Sequence, residues 1–391
     1  MNADRKKLRR LARMMNSKNE ILVPLVGGVI DLMEVVARPD EVDYLLALGP
    51  EPHTTDQAVA KTGLPRDQAL AFLDNLIKKG WIWPYTFADG RTGYELLPIV
   101  VGWFEMQLCH GRETEREKAF ARAAEDLFNS LGRLNVFPLR PAFNFFTRAV
   151  TKPYQTIGAI NPPDDPAGNV FTVPVGRPLA VAPQMAGPTP YVSELIDRHG
   201  KNNAIGLMHC FCRQWRKLVD TPCRFDISPE TCIAVGPMAN YLIDHHFGRR
   251  ITTREALNIL DETARAGAVH TLFHEKDDIR LPNIAVCNCC WDCCGLYGSY
   301  NRGLIPLFMR SNYRAMVIRP EDCKACGKCV KHCPTACIRQ IDDLAVIDGE
   351  QCIGCGQCAL QCPTNAIALI SDRRDVLVPM LKKSTARIPI A

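Results

Sequence analysis

The sequence of 391 residues lacks a long apolar run and carries little excess charge of either sign. The apolar stretch at residues 21–30 contains Pro24 and is shorter than the about 20 residues that a membrane-spanning helix needs. The net charge of +5 at pH 7 is small for this length, so no extended surface for a polyanion is expected. The sequence therefore predicts no transmembrane segment.

Nucleotide-binding motifs are also missing. Gly27, Gly28, Gly102 and Gly295 form neither G-x-G-x-x-G nor a Walker loop, so flavin or nicotinamide binding is not predicted. No nucleophile paired with a general base stands out, and no catalytic residue is assigned.

The N-terminus combines basic residues with that apolar stretch, which is also the pattern of an export signal. The basic residues are Arg5, Lys6, Lys7, Arg9, Arg10 and Arg13. The stretch is bounded by Glu20 and Asp31 and has no small-residue cleavage site after it. We therefore interpret residues 1–40 as a basic helical lead-in that contacts an acidic partner or a membrane surface.

Cysteine is what the sequence has in abundance, with nineteen residues. In a short secreted chain this would indicate a disulfide scaffold. In a chain this long, repeated C-x-x-C spacing indicates metal binding in a reducing compartment. We expect a cytoplasmic location, and the hydrophobic content of 47% supplies cores for two to four domains.

One cysteine spacing, C-x-x-C-x-x-C-x-x-x-C-P, occurs twice near the C-terminus. The first copy is Cys323, Cys326, Cys329, Cys333 and Pro334, and the second is Cys352, Cys355, Cys358, Cys362 and Pro363. Three thiolates on a short loop bind three corners of one cubane, and the fourth points to the neighbouring cluster. Zinc uses two C-x-x-C pairs per ion instead. The predicted ligands therefore cross: Cys323, Cys326, Cys329 and Cys362 for the first cluster, and Cys333, Cys352, Cys355 and Cys358 for the second.

On these cysteines and prolines, residues 314–371 resemble a bacterial-type ferredoxin with two [4Fe-4S] clusters. The resemblance implies a ferredoxin-like βαββαβ fold and electron transfer. Gly327, Gly354 and Gly356 suit a loop whose amides turn towards the sulfides. Cys337 lies outside the pattern and is expected to be a buried thiol.

Nine further cysteines lie in the middle of the chain: Cys210, Cys212, Cys223, Cys232, Cys287, Cys289, Cys290, Cys293 and Cys294. Unligated, so many thiols would be an oxidation hazard, so we interpret them as ligands of one or two additional [4Fe-4S] clusters. Nine thiols suffice for two cubanes with one left over, or for one cubane and a zinc ion.

The layout of residues 207–299 resembles multidomain ferredoxin-like proteins of anaerobes. The C-C-G at residues 293–295 also resembles the cysteine-rich motif of heterodisulfide-reductase-type subunits, which hold a catalytic non-cubane cluster. Here the cysteines lie closer together along the sequence than in that family, so its catalysis is not transferred to this chain.

The residues around these cysteines indicate how the metal region closes. Residues 269–273 and 281–286 read as a hairpin that returns Cys287 towards Cys210, after a helix that begins with a capping box at Thr252 and Glu255. Histidine is also a metal ligand by residue type, which makes five histidines candidates: His209, His245, His246, His270 and His274. His209 is the best candidate because it is next to Cys210. The cations that follow Cys212 either offset cluster charge or form surface ion pairs: Arg213, Arg216 and Lys217.

Residues 54–97 resemble a winged helix-turn-helix domain. Two helices are expected over residues 56–61 and 66–79, followed by strands over 81–85 and 94–97. A DNA reader carries a basic stripe, whereas Arg66, Lys78 and Lys79 are nearly balanced by Asp67 and Asp74. Nucleic acid is therefore not the expected ligand, and protein docking is the alternative use of the fold.

Together these features predict an α+β protein of several parts. They are the lead-in at 1–40, a winged-helix-like module at 41–135, a proline-rich extended connector at 136–200, a cysteine-rich Fe-S domain at 201–312, the ferredoxin domain at 313–372 and a basic tail at 373–391. Phenylalanines and valines of the connector are expected to lie against the domains: Phe143, Phe145, Phe146, Val170, Phe171, Val173 and Val175.

The predicted function is an iron–sulfur electron-transfer protein that relays low-potential electrons to or from a partner oxidoreductase. Two alternatives stay open. One is a redox-sensing winged-helix transcription regulator, and the other is an oxidoreductase with a catalytic cluster in the cysteine site at 210–294.

Overall fold

The computed structural model describes residues 4–18, 27–87, 89–150, 156–157, 192–274 and 284–388. It contains both helices and strands, which confirms the α+β class. Within these residues no helix is both long enough and apolar enough to cross a membrane.

The N-terminal part is mainly helical. Its helices are Arg5–Asn16, Gly27–Val36, Pro39–Leu48, Thr55–Ala60, Arg66–Lys78, Phe104–Met106 and Glu115–Leu131, with a π-helical turn at Ile99–Trp103. A three-stranded sheet has the order His53–Thr54, Thr92–Leu96, Ile82–Thr86. The side chain of Thr54 caps the Thr55–Ala60 helix by accepting from the Gln57 amide, as the sequence predicts.

The basic lead-in packs onto the module that follows it. The Arg5–Asn16 helix buries Leu8, Leu11 and Met15 in the same hydrophobic core as Leu45. This core extends to Trp215 of the cysteine-rich region. The first helix, the helical module and the cysteine-rich region are therefore packed together.

An eight-stranded sheet forms the centre of the molecule. Its order is Ile367–Val378, Leu307–Val317, Thr156–Ile157, Val269–His274, Ile284–Cys289, Glu230–Val235, Ile205–His209, Arg249–Arg250. Helices of this region are Val192–Gly200, Phe211–Leu218, Pro237–Asp244, Thr253–Arg265 and Tyr297–Asn301. Thr252 caps the Thr253–Arg265 helix by accepting from the Glu255 amide at 3.1 Å, as predicted.

The predicted hairpin is confirmed with a shift in its second strand. Val269–His274 pairs antiparallel with Ile284–Cys289, with Leu272 opposite Val286. The second strand was expected at residues 281–286, so Cys287 and Cys289 were wrongly placed after it. They lie within the strand, because the antiparallel pairing continues past Val286, with Cys287 opposite Thr271 and Cys289 opposite Val269.

Two long strands carry the C-terminal cysteine repeats. Leu307–Val317 and Ile367–Val378 pair antiparallel from Leu307 opposite Val378 to Val317 opposite Ile367. Between them lie helices Lys328–His332 and Gln357–Leu360 and a separate two-stranded sheet of Ile338–Ile341 and Leu344–Ile347. The repeats are thereby anchored in the central sheet.

The proline-rich segment was expected to be extended, but the parts of it that the structure describes are mainly helical. Leu139–Val150 and Val192–Gly200 are helices. Pro141 is tolerated because it lies in the first turn, where an amide has no intrahelical acceptor. Phe145 and Phe146 are 74% and 48% exposed, so they do not lie against the domains as expected. Val170, Phe171, Val173 and Val175 fall outside the described residues.

Candidate metal centres

Cysteines of both repeats meet in a first cavity of about 440 Å³. Its walls include Cys323, Cys326 and Cys329 from the first repeat and Cys362 from the second. Cys326 is exposed, and Cys323 and Cys362 are half-buried. This cavity therefore lies at the surface of the molecule.

A second cavity of about 270 Å³ has the reciprocal composition. It is lined by Cys352, Cys355 and Cys358 from the second repeat and by Cys333 from the first. Cys333, Cys352 and Cys358 are buried. The fold thus brings together the two crossed sets of four thiols that the spacing predicts.

The backbone around both cavities is shaped for close approach to a sulfur-rich group. Gly327 and Gly356 have φ of 70° and 77° and directly precede the two short helices, a conformation that favours glycine. The amide of Ala315 donates to Cys352 Sγ at 3.4 Å, and that of Ala366 donates to Cys362 Sγ at 3.3 Å. At each cavity, the four thiols of one crossed set, with amide donors to sulfur, fit a [4Fe-4S] cluster.

Cys337 is a member of the second cavity that the sequence reading left out of the site. It is buried, as expected, but its Sγ lies 3.6 Å from Cys333 Sγ. The Cys337 thiol is the main cause that lowers the pKa of Cys333 to about 6 and that of Cys352 to about 7. Cys337 corresponds to Ala366 in the second repeat, and that difference between the repeats was the available signal.

Six of the nine central cysteines form a closed ring, which we call the six-thiol ring. Each thiol interacts with the thiols on either side of it. Around the ring the order is Cys210, Cys212, Cys294, Cys289, Cys287, Cys232. Strand pairing brings two members of the ring together. Ile233 lies opposite Val286, and this register places Cys232 beside Cys287.

The other three cysteines form a separate group, the thiol trio. Cys290 Sγ lies 3.3 Å from Cys223 Sγ and 3.0 Å from Cys293 Sγ. All three sulfur atoms lie within 4.8 Å of one another. The nine thiols are thus divided into six and three, a division that the sequence reading did not predict.

The cations after Cys212 have different roles. Arg213 is buried, and its guanidinium donates to Thr231 Oγ1 at 2.8 Å. Burial acts to lower the pKa of Arg213, but the thiolates of Cys210, Cys293 and Cys290 together outweigh burial and raise it. Its charge therefore offsets thiolate charge. Arg216 pairs with Glu125, and Lys217 pairs with Glu113 at 2.5 Å.

The candidate histidines whose side chains the structure describes form no close ligand group with the thiols. His209 packs against Gly111 and lies 3.9 Å from Glu230. His270 is buried and contacts Asn288 Oδ1 at 2.5 Å, and burial lowers its pKa to about 4. His245 and His246 follow the Pro237–Asp244 helix, and the side chain of His274 lies outside the described part of the chain. Among the described residues, no close group of three ligand-type side chains includes a histidine.

Tyr297 connects the second cavity to the six-thiol ring. Its side chain is fully buried in one hydrophobic cluster with Cys289, Cys294 and Ile353, against which Cys355 packs. Burial is the main cause that raises the pKa of Tyr297, followed by the charges of Cys289, Cys294 and Cys355. Tyr297 thus lies close to thiols of both groups.

Residues 316–339 and 345–368 match the family model of the 4Fe-4S binding domain. No curated protein and no solved structure matches the chain. The two matched segments contain the eight cysteines of the crossed sets. The C-terminal part of the chain is therefore a two-repeat 4Fe-4S binding domain, which gives the protein iron–sulfur electron-transfer capacity.

Proposed function

We propose that the protein relays low-potential electrons to or from a partner oxidoreductase through three [4Fe-4S] clusters. Two clusters are held by the crossed sets of the repeats, and the third is held by four thiolates of the six-thiol ring. When bound, such clusters accept and release single electrons. The single observation that carries the proposal is that Tyr297 is close to both Cys355 and Cys289, because this makes the ring a neighbour of the second ferredoxin site.

The first and second cavities differ in exposure, which gives the proposed relay an exposed end and a buried end. Cys326 of the first cavity is exposed, whereas Cys333, Cys352 and Cys358 of the second are buried. Lys324 and Lys328 are exposed beside Cys326. We propose that an acidic partner docks at this face, since opposite charges increase the rate of encounter.

The residues of this chain supply the environment that the clusters require. Tyr297 and Ile353 exclude water between the second cavity and the ring. Amide donors from Ala315 and Ala366 and the charge of Arg213 stabilise thiolate sulfur.

DNA binding by the winged-helix-like module gains no support from its charges. Arg66 pairs with Asp56 at 2.7 Å, Lys78 with Asp74 at 2.6 Å, and Lys79 with buried Glu41 at 2.6 Å. Basic side chains that are already neutralised form a poor phosphate-binding stripe. We propose that this module docks a protein instead, and sequence-specific retardation of DNA at modest salt would overturn this part of the proposal.

A catalytic role for the central region is the second candidate, because one cavity adjoins both thiol groups. This cavity of about 220 Å³ is lined by Cys293, Cys294, Arg216 and Arg302. Arg216 pairs with Glu125, which also lines this cavity, so two arginines stand against one carboxylate, and this excess of positive charge favours an anionic ligand. Azide or sulfite that perturbs the EPR spectrum of the reduced protein, and that fails to do so in Arg302→Gln, would support this candidate over a pure relay.

Electron uptake tests the main proposal. Anaerobically purified protein, photoreduced in steps, should take up about three electrons per chain, one for each cluster. Uptake of about two electrons would remove the ring cluster from the relay. No uptake would overturn the proposed function.

A further inference from the structure

We infer that the thiol trio of Cys223, Cys290 and Cys293 binds a single zinc ion, separate from the iron–sulfur clusters. Bound by these three thiolates, the ion would tie the Cys223 loop to the turn that carries Cys290 and Cys293. This inference does not depend on the relay function.

Sulfur spacing carries the inference. In the trio, Cys290 Sγ lies 3.3 Å from Cys223 Sγ and 3.0 Å from Cys293 Sγ. Thiolates at about 2.3 Å from a tetrahedral zinc ion are about 3.8 Å apart. In a cubane, each thiolate binds a different iron atom, so its cysteine sulfurs must be farther apart than around a single ion. The two sulfur distances of the trio are shorter than about 3.8 Å, so the trio fits one ion after a small outward shift of the sulfurs and is too close for a cluster.

The same chain provides the comparison. Across the part that the structure describes, no other three ligand-type side chains bring their ligand atoms within 4.8 Å of one another. The cysteines of the 4Fe-4S binding domain instead line two separate cavities, each with the four thiols of one crossed set. The cysteines of the six-thiol ring likewise contain no trio of this closeness. As a close group of three, the trio thus stands apart from the other cysteines that the structure describes.

Local structure holds the three thiols in place. Cys290 and Cys293 form a C-x-x-C turn directly after the Ile284–Cys289 strand, and C-x-x-C is the common half-site for zinc. The Cys293 amide donates to Cys290 Sγ at 3.3 Å. The amide of Arg224 donates to Asp292 Oδ2 at 2.8 Å and so ties the Cys223 loop to this turn.

Charge and sequence order agree with a zinc ion. Three thiolates and a Zn²⁺ ion leave one negative charge, and buried Arg213 lies close enough to feel the charges of Cys223, Cys290 and Cys293. The fourth position of a tetrahedral ion is left to water. Cys289 and Cys294 of the ring flank Cys290 and Cys293 of the trio along the chain. An ion bound by the inner pair would therefore fix the positions of the outer pair.

Metal analysis of the full chain tests the inference. Anaerobically purified protein should contain about one zinc per chain in addition to iron, and Cys223→Ser should lose most of the zinc while keeping its iron and sulfide. The matched control, Cys232→Ser in the ring, should keep the zinc, because Cys232 is not one of the three trio thiols. Iron loss without zinc loss in Cys223→Ser would place the trio in a cluster and overturn the inference.

A measurement on the unaltered protein keeps the inference testable if Cys223→Ser does not fold. X-ray absorption at the zinc edge should show about three sulfur neighbours at about 2.3 Å. Zinc without sulfur neighbours, or protein with iron and no zinc, would overturn the inference. The relay proposal is tested by iron content, sulfide content and electron uptake, so the relay proposal and the zinc inference can fail independently.

Discussion

The guanidinium of Arg387 lies over the indole of Trp291, with Cζ 4.0 Å from the ring centroid. The same guanidinium donates to the carbonyl oxygens of Cys333 at 2.6 Å and Lys331 at 3.0 Å. Trp291 belongs to the turn that carries Cys290 and Cys293. The tail therefore links the central cysteine region to a loop of the 4Fe-4S binding domain.

Arg387→Ala should loosen this link. It removes a cation–π contact and two hydrogen bonds from a charged donor, so we expect a loss of about 2 kcal/mol in the free energy of unfolding. The midpoint of thermal unfolding of the anaerobic, metal-loaded protein measures this loss of stability. Lys383→Ala, an exposed position in the same tail, is the matched control. Equal midpoints for the two variants would contradict a role for the Arg387 link.

Serine substitution of the fourth cysteine in either repeat should damage the cluster served by the other repeat. Cys362 lies with Cys323 and Cys326 in the first cavity, and Cys333 lies with Cys355 in the second. The EPR spectrum of reduced Cys362→Ser should therefore match that of Cys326→Ser, and the spectrum of Cys333→Ser should match that of Cys355→Ser. The opposite pairing of spectra would refute crossed ligation.

Cys337→Ala should lower the reduction potential of the second cluster. The Cys337 thiol stabilises the thiolates of Cys333 and Cys352, and a reduced cluster, which carries more negative charge, gains more from such a donor. Loss of about 1 kcal/mol corresponds to about 40 mV for one electron. Potentiometric EPR titration measures the shift, and Cys109→Ala, a buried thiol in the N-terminal core, is the control. An unchanged potential would mean that Cys337 does not act on the cluster.

Charge reversal of Lys324 and Lys328 should change electron exchange at the exposed face. The double glutamate variant should be oxidised about threefold more slowly by an anionic acceptor such as ferricyanide at low salt, and faster by cationic hexaammineruthenium. The same double change at Lys61 and Lys78, in the N-terminal module, keeps the net charge equal and serves as control. Identical rates for the two double variants would argue against electron exit near Cys326.

The contact between Cys362 and the first repeat could be predicted from sequence because one spacing, repeated, forces the fourth thiol away from its own loop. The separation of Cys223, Cys290 and Cys293 from the ring could not, because it depends on the strand register that places Cys232 beside Cys287. The helix at Leu139–Val150 was not predicted, because the many prolines of this segment were taken to indicate an extended chain. Pro141, however, lies in the first turn, where a helix tolerates proline.

Iron and acid-labile sulfide in anaerobically purified protein test the central claim most directly. Three [4Fe-4S] clusters predict at least about twelve iron atoms and about twelve sulfides per chain. About eight of each would remove the cluster from the six-thiol ring. Colourless protein that holds zinc and no sulfide would contradict the iron–sulfur account as a whole.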